Sequence, residues 1–244
     1  MKRLILALPA LYLLSGCALF TIRPTPILSL EEARAIVHSI AQAETKIEQF
    51  FATGSLLIIE NQEETRLGFF WAGTRNPLRI KIELTHPWGG QVMEALVSEQ
   101  QLMVKDHVKK RSYRGPWNQS PIAEAFPAFF SNEGLWMLLC GRVPLLEHDQ
   151  LKAKGADKIL LLDKKGRTVQ VIGIDKKRGL SIWSAYPNPD LKLRFSYSKK
   201  TQDIPLAKGV QIEFADEGHS ISIQFRNLVH NKPIPEEVFT LPME

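Results

Sequence analysis

From residue 47 onwards the chain alternates apolar and polar positions. Leu78/Ile80/Ile82/Leu84, Leu191/Leu193/Phe195, Val210/Ile212/Phe214 and Ile221/Ile223/Phe225 each put an apolar side chain at every second position. That period gives a strand one apolar and one wet face. Gly, Asn, Asp and Pro interrupt the pattern at short intervals, as in an up-and-down antiparallel meander. Strands are predicted at 47–60, 65–72, 77–85, 90–98, 101–106, 110–114, 157–163, 167–174, 179–186, 190–197, 208–215 and 219–226. So many strands do not stay flat, so the expected fold is mainly β with a few helices (α+β). Its core is a curved antiparallel sheet forming an incomplete barrel of about eleven strands.

Two stretches switch to helical spacing. Ser29-Leu30-Glu31-Glu32 is a capping box, followed by Leu30, Ala33, Ile36, Val37, Ile40 and Ala41 on one helical face. Between the two strand sets, Pro121–Phe130 and Asn132–Cys140 read as two short, very apolar helices. Gly141 ends the second and Pro144 blocks its continuation. Such a pair suits a lid over an apolar cavity, and equally a pair packed on a plain core.

The first residues change the picture from a globular domain to an exported one. Lys2 and Arg3 precede an apolar run, Leu4–Leu14, too short to span a bilayer and laid out like a signal peptide. The run ends in Leu14-Ser15-Gly16-Cys17, which resembles a bacterial lipoprotein box. Residues 1–16 are therefore expected to be removed and Cys17 to be the lipid attachment site. Residues 17–28, with Pro24 and Pro26, would form the lipidated Cys and an extended tether, and residues 29–244 a single domain. Two or three acyl chains, at ~0.8 kcal/mol per buried CH₂, would hold such a chain on a membrane almost permanently. Ala18, rather than Asp, after the Cys favours the outer membrane under the usual enterobacterial sorting rule, with the domain facing the periplasm.

Net charge is +5, and +3 without Lys2 and Arg3. No basic module stands out, so nucleic acid is not an expected partner. The Lys109-Lys110-Arg111 and Lys176-Lys177-Arg178 triplets fall at predicted turns, as solvated residues or as contacts for anionic headgroups. With Cys17 modified, Cys140 has no disulfide partner. Six scattered histidines lack metal-ligand spacing, and no phosphate loop or nucleophile elbow is present. Cys140 lies in an apolar helix, where a thiol is usually inert. The expectation is a monomeric binding protein without metal, cofactor or catalytic residues.

The turn Thr85-His86-Pro87-Trp88-Gly89-Gly90 holds a residue that turn chemistry does not require. Pro and Gly serve the backbone; Trp88 does not. Together with Thr53-Gly54, Phe69-Phe70-Trp71, Leu78-Arg79-Ile80 and Leu138-Leu139-Cys140-Gly141 with Pro144 behind, this turn resembles the outer-membrane lipoprotein receptor family LolB. The resemblance implies a half-barrel with a helical lid. It also implies acceptance of lipoprotein acyl chains from a LolA-like periplasmic carrier and their insertion into outer-membrane lipid. Pro87, Trp88 and Gly89 would then form the membrane-insertion loop. Candidates for the acyl-chain cavity are Phe69, Trp71, Ile80, Ile82, Leu84, Met93, Phe126, Trp136, Leu193, Phe195 and Phe225, each of which also suits a plain core. The chain departs from the family pattern in carrying Trp rather than an aliphatic at the tip, a second glycine after it, and a tail from Asn231 to Glu244. A lipid-anchored protein binding another lipid or glycolipid, or a non-catalytic envelope-assembly lipoprotein, remain alternatives.

Overall fold

The structure, a computed structural model, describes residues 27–98, 101–116, 132–175, 177, 180–187, 190–197, 206–215 and 218–242. Thirteen strands form one sheet, in the order β6-β5-β4-β3-β2-β1-β13-β12-β11-β10-β9-β8-β7. One arm is the meander β1 (Gln49–Glu60), β2 (Glu63–Thr74), β3 (Arg79–Thr85), β4 (Gln91–Ser98), β5 (Gln101–Asp106) and β6 (Arg111–Pro116). The other runs through β7 (Gln150–Lys154), β8 (Lys158–Leu162), β9 (Thr168–Asp175), β10 (Leu180–Pro187), β11 (Asp190–Tyr197), β12 (Ala207–Phe214) and β13 (His219–His230). The arms join where β13 pairs antiparallel with β1, from Phe50 opposite His230 to Glu60 opposite His219. β6 and β7 are the two edges, so the sheet curves without closing into a barrel.

The expected count of about eleven strands falls short. β7 was not anticipated: Gln150-Leu151-Lys152-Ala153-Lys154 alternates only weakly apolar residues with polar ones. β13 also continues to His230 rather than 226.

Helix α1 (Leu30–Thr45) starts as its capping box requires: Ser29 N–H donates to Glu32 Oε2 at 2.8 Å and Glu32 N–H to Ser29 Oγ at 3.0 Å. Its Ala33 and Val37 bury against Ile159, Leu161, Ile172 and Ile174 of β8 and β9. Leu28, the last residue of the expected tether, is itself buried there, and its N–H donates to Gly155 O at 2.9 Å. Leu28 therefore packs as part of the domain; residues 17–26 of the expected tether lie outside the described residues.

Helix α2 (Asn132–Leu139) lies on the apolar face of the sheet, its Trp136 ring edge-on to Phe50 with centroids 4.9 Å apart. Gly73 of β2 allows that approach, because a Cβ there would sit 2.5 Å from the Phe50 ring and 2.9 Å from Trp136. Gly141, at φ +66°, ends the helix: its N–H donates to Leu138 O and Arg142 N–H to Met137 O. This double bond is the Schellman pattern that left-handed glycine permits. The other predicted helix, Pro121–Phe130, lies outside the described residues.

The C-terminal segment crosses the opposite face. Phe239 and Leu241 bury against Ala72 and Leu96. Arg79 binds Glu236 and lies over the Phe239 ring at 4.6 Å.

Candidate functional site

Cross-strand partners share a face, so the register decides what faces inward. Trp71 of β2 is opposite Ile82 of β3, Ile82 opposite Ala95 of β4, and Ala95 opposite Val104 of β5. On the other side of the β1–β13 seam, Leu193 of β11 is opposite Ile212 of β12, and Ile212 opposite Ile221 of β13. These two walls and α2 line a half-open cavity of about 230 Å³. The first wall supplies Leu56, Trp71, Ile82, Leu84, Met93, Ala95, Val97 and Leu102, the second Leu191, Leu193, Ile212, Ile221 and Ile223. α2 adds Leu135, Leu138 and Leu139. The lining is apolar throughout. Its one polar side-chain atom, Trp71 Nε1, is buried with no hydrogen-bond partner among the described residues. The void exceeds the ~150 Å³ apolar cavity that stays dry and binds benzene.

Of the eleven cavity candidates, Trp71, Ile82, Leu84, Met93 and Leu193 line this space. Five others lie in the surrounding core instead. Phe69 stacks on Trp71 with centroids 3.9 Å apart, and Phe225 meets both rings edge-on. Ile80 and Trp136 are fully buried, and Phe195 is 6% exposed. Phe69 and Phe225 pack around Trp71 and so fill the space behind the wall rather than border the cavity. Phe126 and Cys17 lie outside the described residues. The lining residues missing from the candidate list, Ala95, Val97 and Leu102 among them, are mid-sized or small. Their signal was the same alternation, read across the register rather than along one strand.

The turn between β3 and β4 is closed by His86 N–H donating to Gly90 O at 2.7 Å and Gly89 N–H donating to His86 O at 2.9 Å. Gly89 stands at φ +97°, where a side chain would strain the backbone. Trp88 is 79% exposed and stacks on the His86 ring, at 4.5 Å and 7°. It does not fold back over the core. Leu84 and Met93, opposite each other at the base of this hairpin, both line the cavity. The tip is thus built directly on the cavity wall.

Chemistry around the cavity is muted. Cys140 is fully buried, and that burial pushes its thiol well above the ordinary range. Its carbonyl lies 3.3 Å from His230 Nε2. Burial holds His230 down to about 4, so its ring is neutral near pH 7, and burial pushes the Tyr197 hydroxyl up to about 12. On the other face, Lys81, 3% exposed, donates to Glu94 Oε1 at 2.9 Å and to Thr240 O at 3.0 Å. Glu94 also meets His107 Nε2 at 2.9 Å. Burial acts to raise the Glu94 carboxyl, but hydrogen bonds from Lys81 and His107 outweigh it and hold the group below its ordinary value. Among the described residues, no three His, Cys, Asp or Glu side chains stand together as metal ligands.

No protein-family model matches this chain, and no curated protein sequence does. Solved structures do. A DUF1329 family protein from Desulfovibrio piger superposes with a TM-score of 0.58 at 15% identity, covering 86% of this chain and 96% of its own. A Vibrio parahaemolyticus domain described as an outer-membrane lipoprotein-sorting protein gives 0.55 at 13%, covering 86% and 96%. A LolA superfamily protein from Nitrosomonas europaea gives 0.54 at 10%, covering 86% and 97%. At these identities the shared property is the fold, a LolA-like antiparallel sheet that curves around its apolar face and stays open.

Proposed function

We propose that the chain is a lipid-anchored outer-membrane receptor, held by Cys17 and facing the periplasm. It takes lipoprotein acyl chains from a LolA-like carrier into the cavity and releases them into outer-membrane lipid. The observation that carries this reading is the wholly apolar void on the inner face of an open sheet. An apolar void with no polar hook among the described residues suits a hydrocarbon chain, which favours a binding role for this site. The LolA-like fold supports it, as does the exposed Trp88 beside the cavity wall. Trp favours the headgroup level over the hydrocarbon centre, so Pro87, Trp88 and Gly89 would enter the membrane shallowly.

The cavity's size favours a second reading. Scaled from ~150 Å³ for the six carbons of benzene, 230 Å³ accommodates roughly nine carbons. This is room for part of one chain, as in a single-chain lipid or glycolipid, unless α2 shifts to widen it. Photo-crosslinking of the protein to a lipoprotein handed over by a LolA-like carrier tests the first reading. Transfer of the crosslink supports it. No transfer, with native lipid found in the purified protein by mass spectrometry, refutes it and leaves the second.

A further inference from the structure

The β5–β6 tip lies next to the Trp88 turn and shares none of its explanation. The two hairpins are neighbours through β4, which pairs with both β3 and β5. His107 N–H donates to Val92 O at 2.9 Å, which ties the second tip to the base of the first. Two strand spacings of ~4.8 Å separate the turn centres, about 10 Å in all. The second tip carries Val108, 62% exposed, then Lys109, Lys110 and Arg111, all exposed. None of the three cations forms an ion pair among the described residues.

The tip is held in shape. Asp106 Oδ1 accepts from Val108 N–H at 3.0 Å and from Lys109 N–H at 2.8 Å, and Lys110 turns the chain at φ +49°. Nearby carboxylates are already engaged: Asp106 in these bonds, Glu94 with Lys81 and His107, Glu83 with Lys81 at 3.6 Å. Of the acidic residues at this end of the sheet, Glu60, Glu63 and Glu64 belong to the β1–β2 hairpin, while Asp190, Glu213, Asp163 and Asp149 lie on the other arm. The β1–β2 hairpin is four strand spacings from the β5–β6 tip, about 19 Å and beyond the screening length of ~8 Å at physiological salt.

We propose that the β5–β6 tip, through Val108, Lys109, Lys110 and Arg111, docks on the anionic phospholipid surface of a bilayer. It works beside Trp88, and the proposal rests on the membrane-release reading above. An exposed aliphatic followed by three cations, with the single Asp106 carboxylate opposite Arg111, leaves a net positive tip that matches a negatively charged headgroup layer above an apolar interior. A purely apolar tip would not distinguish one bilayer from another. This pair of tips does.

The test is binding of the chain carrying Cys17→Ser, so that no acyl anchor masks the tip, to vesicles of phosphatidylcholine with and without 30% phosphatidylglycerol. Wild type is compared with the combined variant Lys109→Gln, Lys110→Asn, Arg111→Gln, in which Asn suits the left-handed position 110. A charge-matched control, Lys152→Gln, Lys154→Gln, Lys158→Gln, removes three exposed cations from the far edge. Each Lys or Arg at an anionic surface contributes roughly five-fold, so the tip variant should bind anionic vesicles on the order of 100-fold more weakly. The far-edge control should keep its affinity, and wild-type binding should fall as salt rises. Equal loss in the control would reduce the effect to net charge and overturn the proposal. So would unchanged binding by the tip variant, or a variant that keeps vesicle binding and loses only cargo uptake from the carrier, which would make the tip a protein contact. Uptake of a fluorescent fatty acid, read on the same samples, reports on the cavity separately.

Discussion

Ala95→Phe places a phenyl ring where the cavity is. Ala95 lies mid-strand in β4, 2% exposed, between Ile82 and Val104 in the register, and its side chain borders the void. The added six ring carbons match the benzene that a ~150 Å³ cavity holds, so the ring enters the 230 Å³ space and leaves room for roughly three carbons in place of nine. At ~0.8 kcal/mol per buried CH₂, losing six carbons of burial weakens acyl-chain binding by up to about 5 kcal/mol. Relaxation of the Leu-rich wall on α2 reduces that figure, and a loss of at least 100-fold, about 2.7 kcal/mol, is expected. The ring fills a void rather than a packed region, so stability should stay within about 1.5 kcal/mol of wild type. The assay is displacement of a fluorescent fatty acid, run with chains of increasing length, alongside urea unfolding. Wild-type affinity should climb to about nine carbons and then level off. A folded Ala95→Phe protein that binds long chains as wild type does would show that they bind elsewhere.

Trp88→Glu should leave urea stability within about 0.5 kcal/mol and fatty-acid uptake unchanged, because the ring is 79% exposed and off the cavity. Delivery of bound cargo to liposomes should fail, and normal delivery would refute the role given to the turn. Glu94→Gln keeps an oxygen acceptor for the buried Lys81 but removes the charge paired with it at 2.9 Å, leaving Glu83 at 3.6 Å as its carboxylate partner, and should cost roughly 1–3 kcal/mol. The folded Glu94 carboxyl sits below its unfolded value, so its contribution is present above the ordinary carboxylate range and lost as pH falls through the folded value. The variant's acid limb should therefore be flatter than wild type in urea midpoints against pH. His230 behaves in the same direction for a different reason. Its folded value of about 4 lies below the ~6.5 of the unfolded chain, so acid protonates the unfolded state first. Between pH 7 and 4.5 wild type should lose roughly 2–3 kcal/mol more stability than His230→Gln, and parallel pH profiles would rule the buried imidazole out as the cause.

Periodicity made most of the fold legible. The runs through Ile80/Ile82/Leu84 and Ile221/Ile223/Phe225 could only bury one face of a strand, and Ser29 with Glu32 could only open a helix. What periodicity cannot carry is pairing. That β1 lies against β13, with both chain edges left open, depends on contacts some 170 residues apart. β7 was missed because Lys152 and Lys154 surround a single Ala153, and its register with β8 comes from its neighbour rather than from its own pattern. The C-terminal segment was legible only as a tail. Its role, covering Ala72 and Leu96 and placing the Thr240 carbonyl on Lys81, is written in residues 140 or more positions upstream. At the site, Trp88 is conspicuous because turn chemistry gives it no reason, whereas alternation names wall residues such as Ile82 and Leu193 without separating those that border a void, Ala95 and Val97 included, from those that fill the core.

That void has an energetic consequence for the proposed handover. The walls of the 230 Å³ apolar space give up contacts that a packed core would make, which costs the fold some of its dispersion energy. The Lys81–Glu94–His107 network, the Arg79–Glu236 clamp and the packing of Phe239 all lie on the far face of the same strands that form the cavity wall. They hold β3 and β4 in place without occupying the inside. An acyl chain entering the cavity recovers part of that cost and loses no hydration it had not already lost in a carrier. Transfer between two such cavities is then nearly balanced, and escape into a bilayer, where a whole chain is buried rather than roughly nine carbons of it, becomes the favoured last step. Direction therefore follows from the cavity being too small for its cargo, and enlarging it, for instance with Leu193→Ala, should strengthen chain binding while slowing release to liposomes.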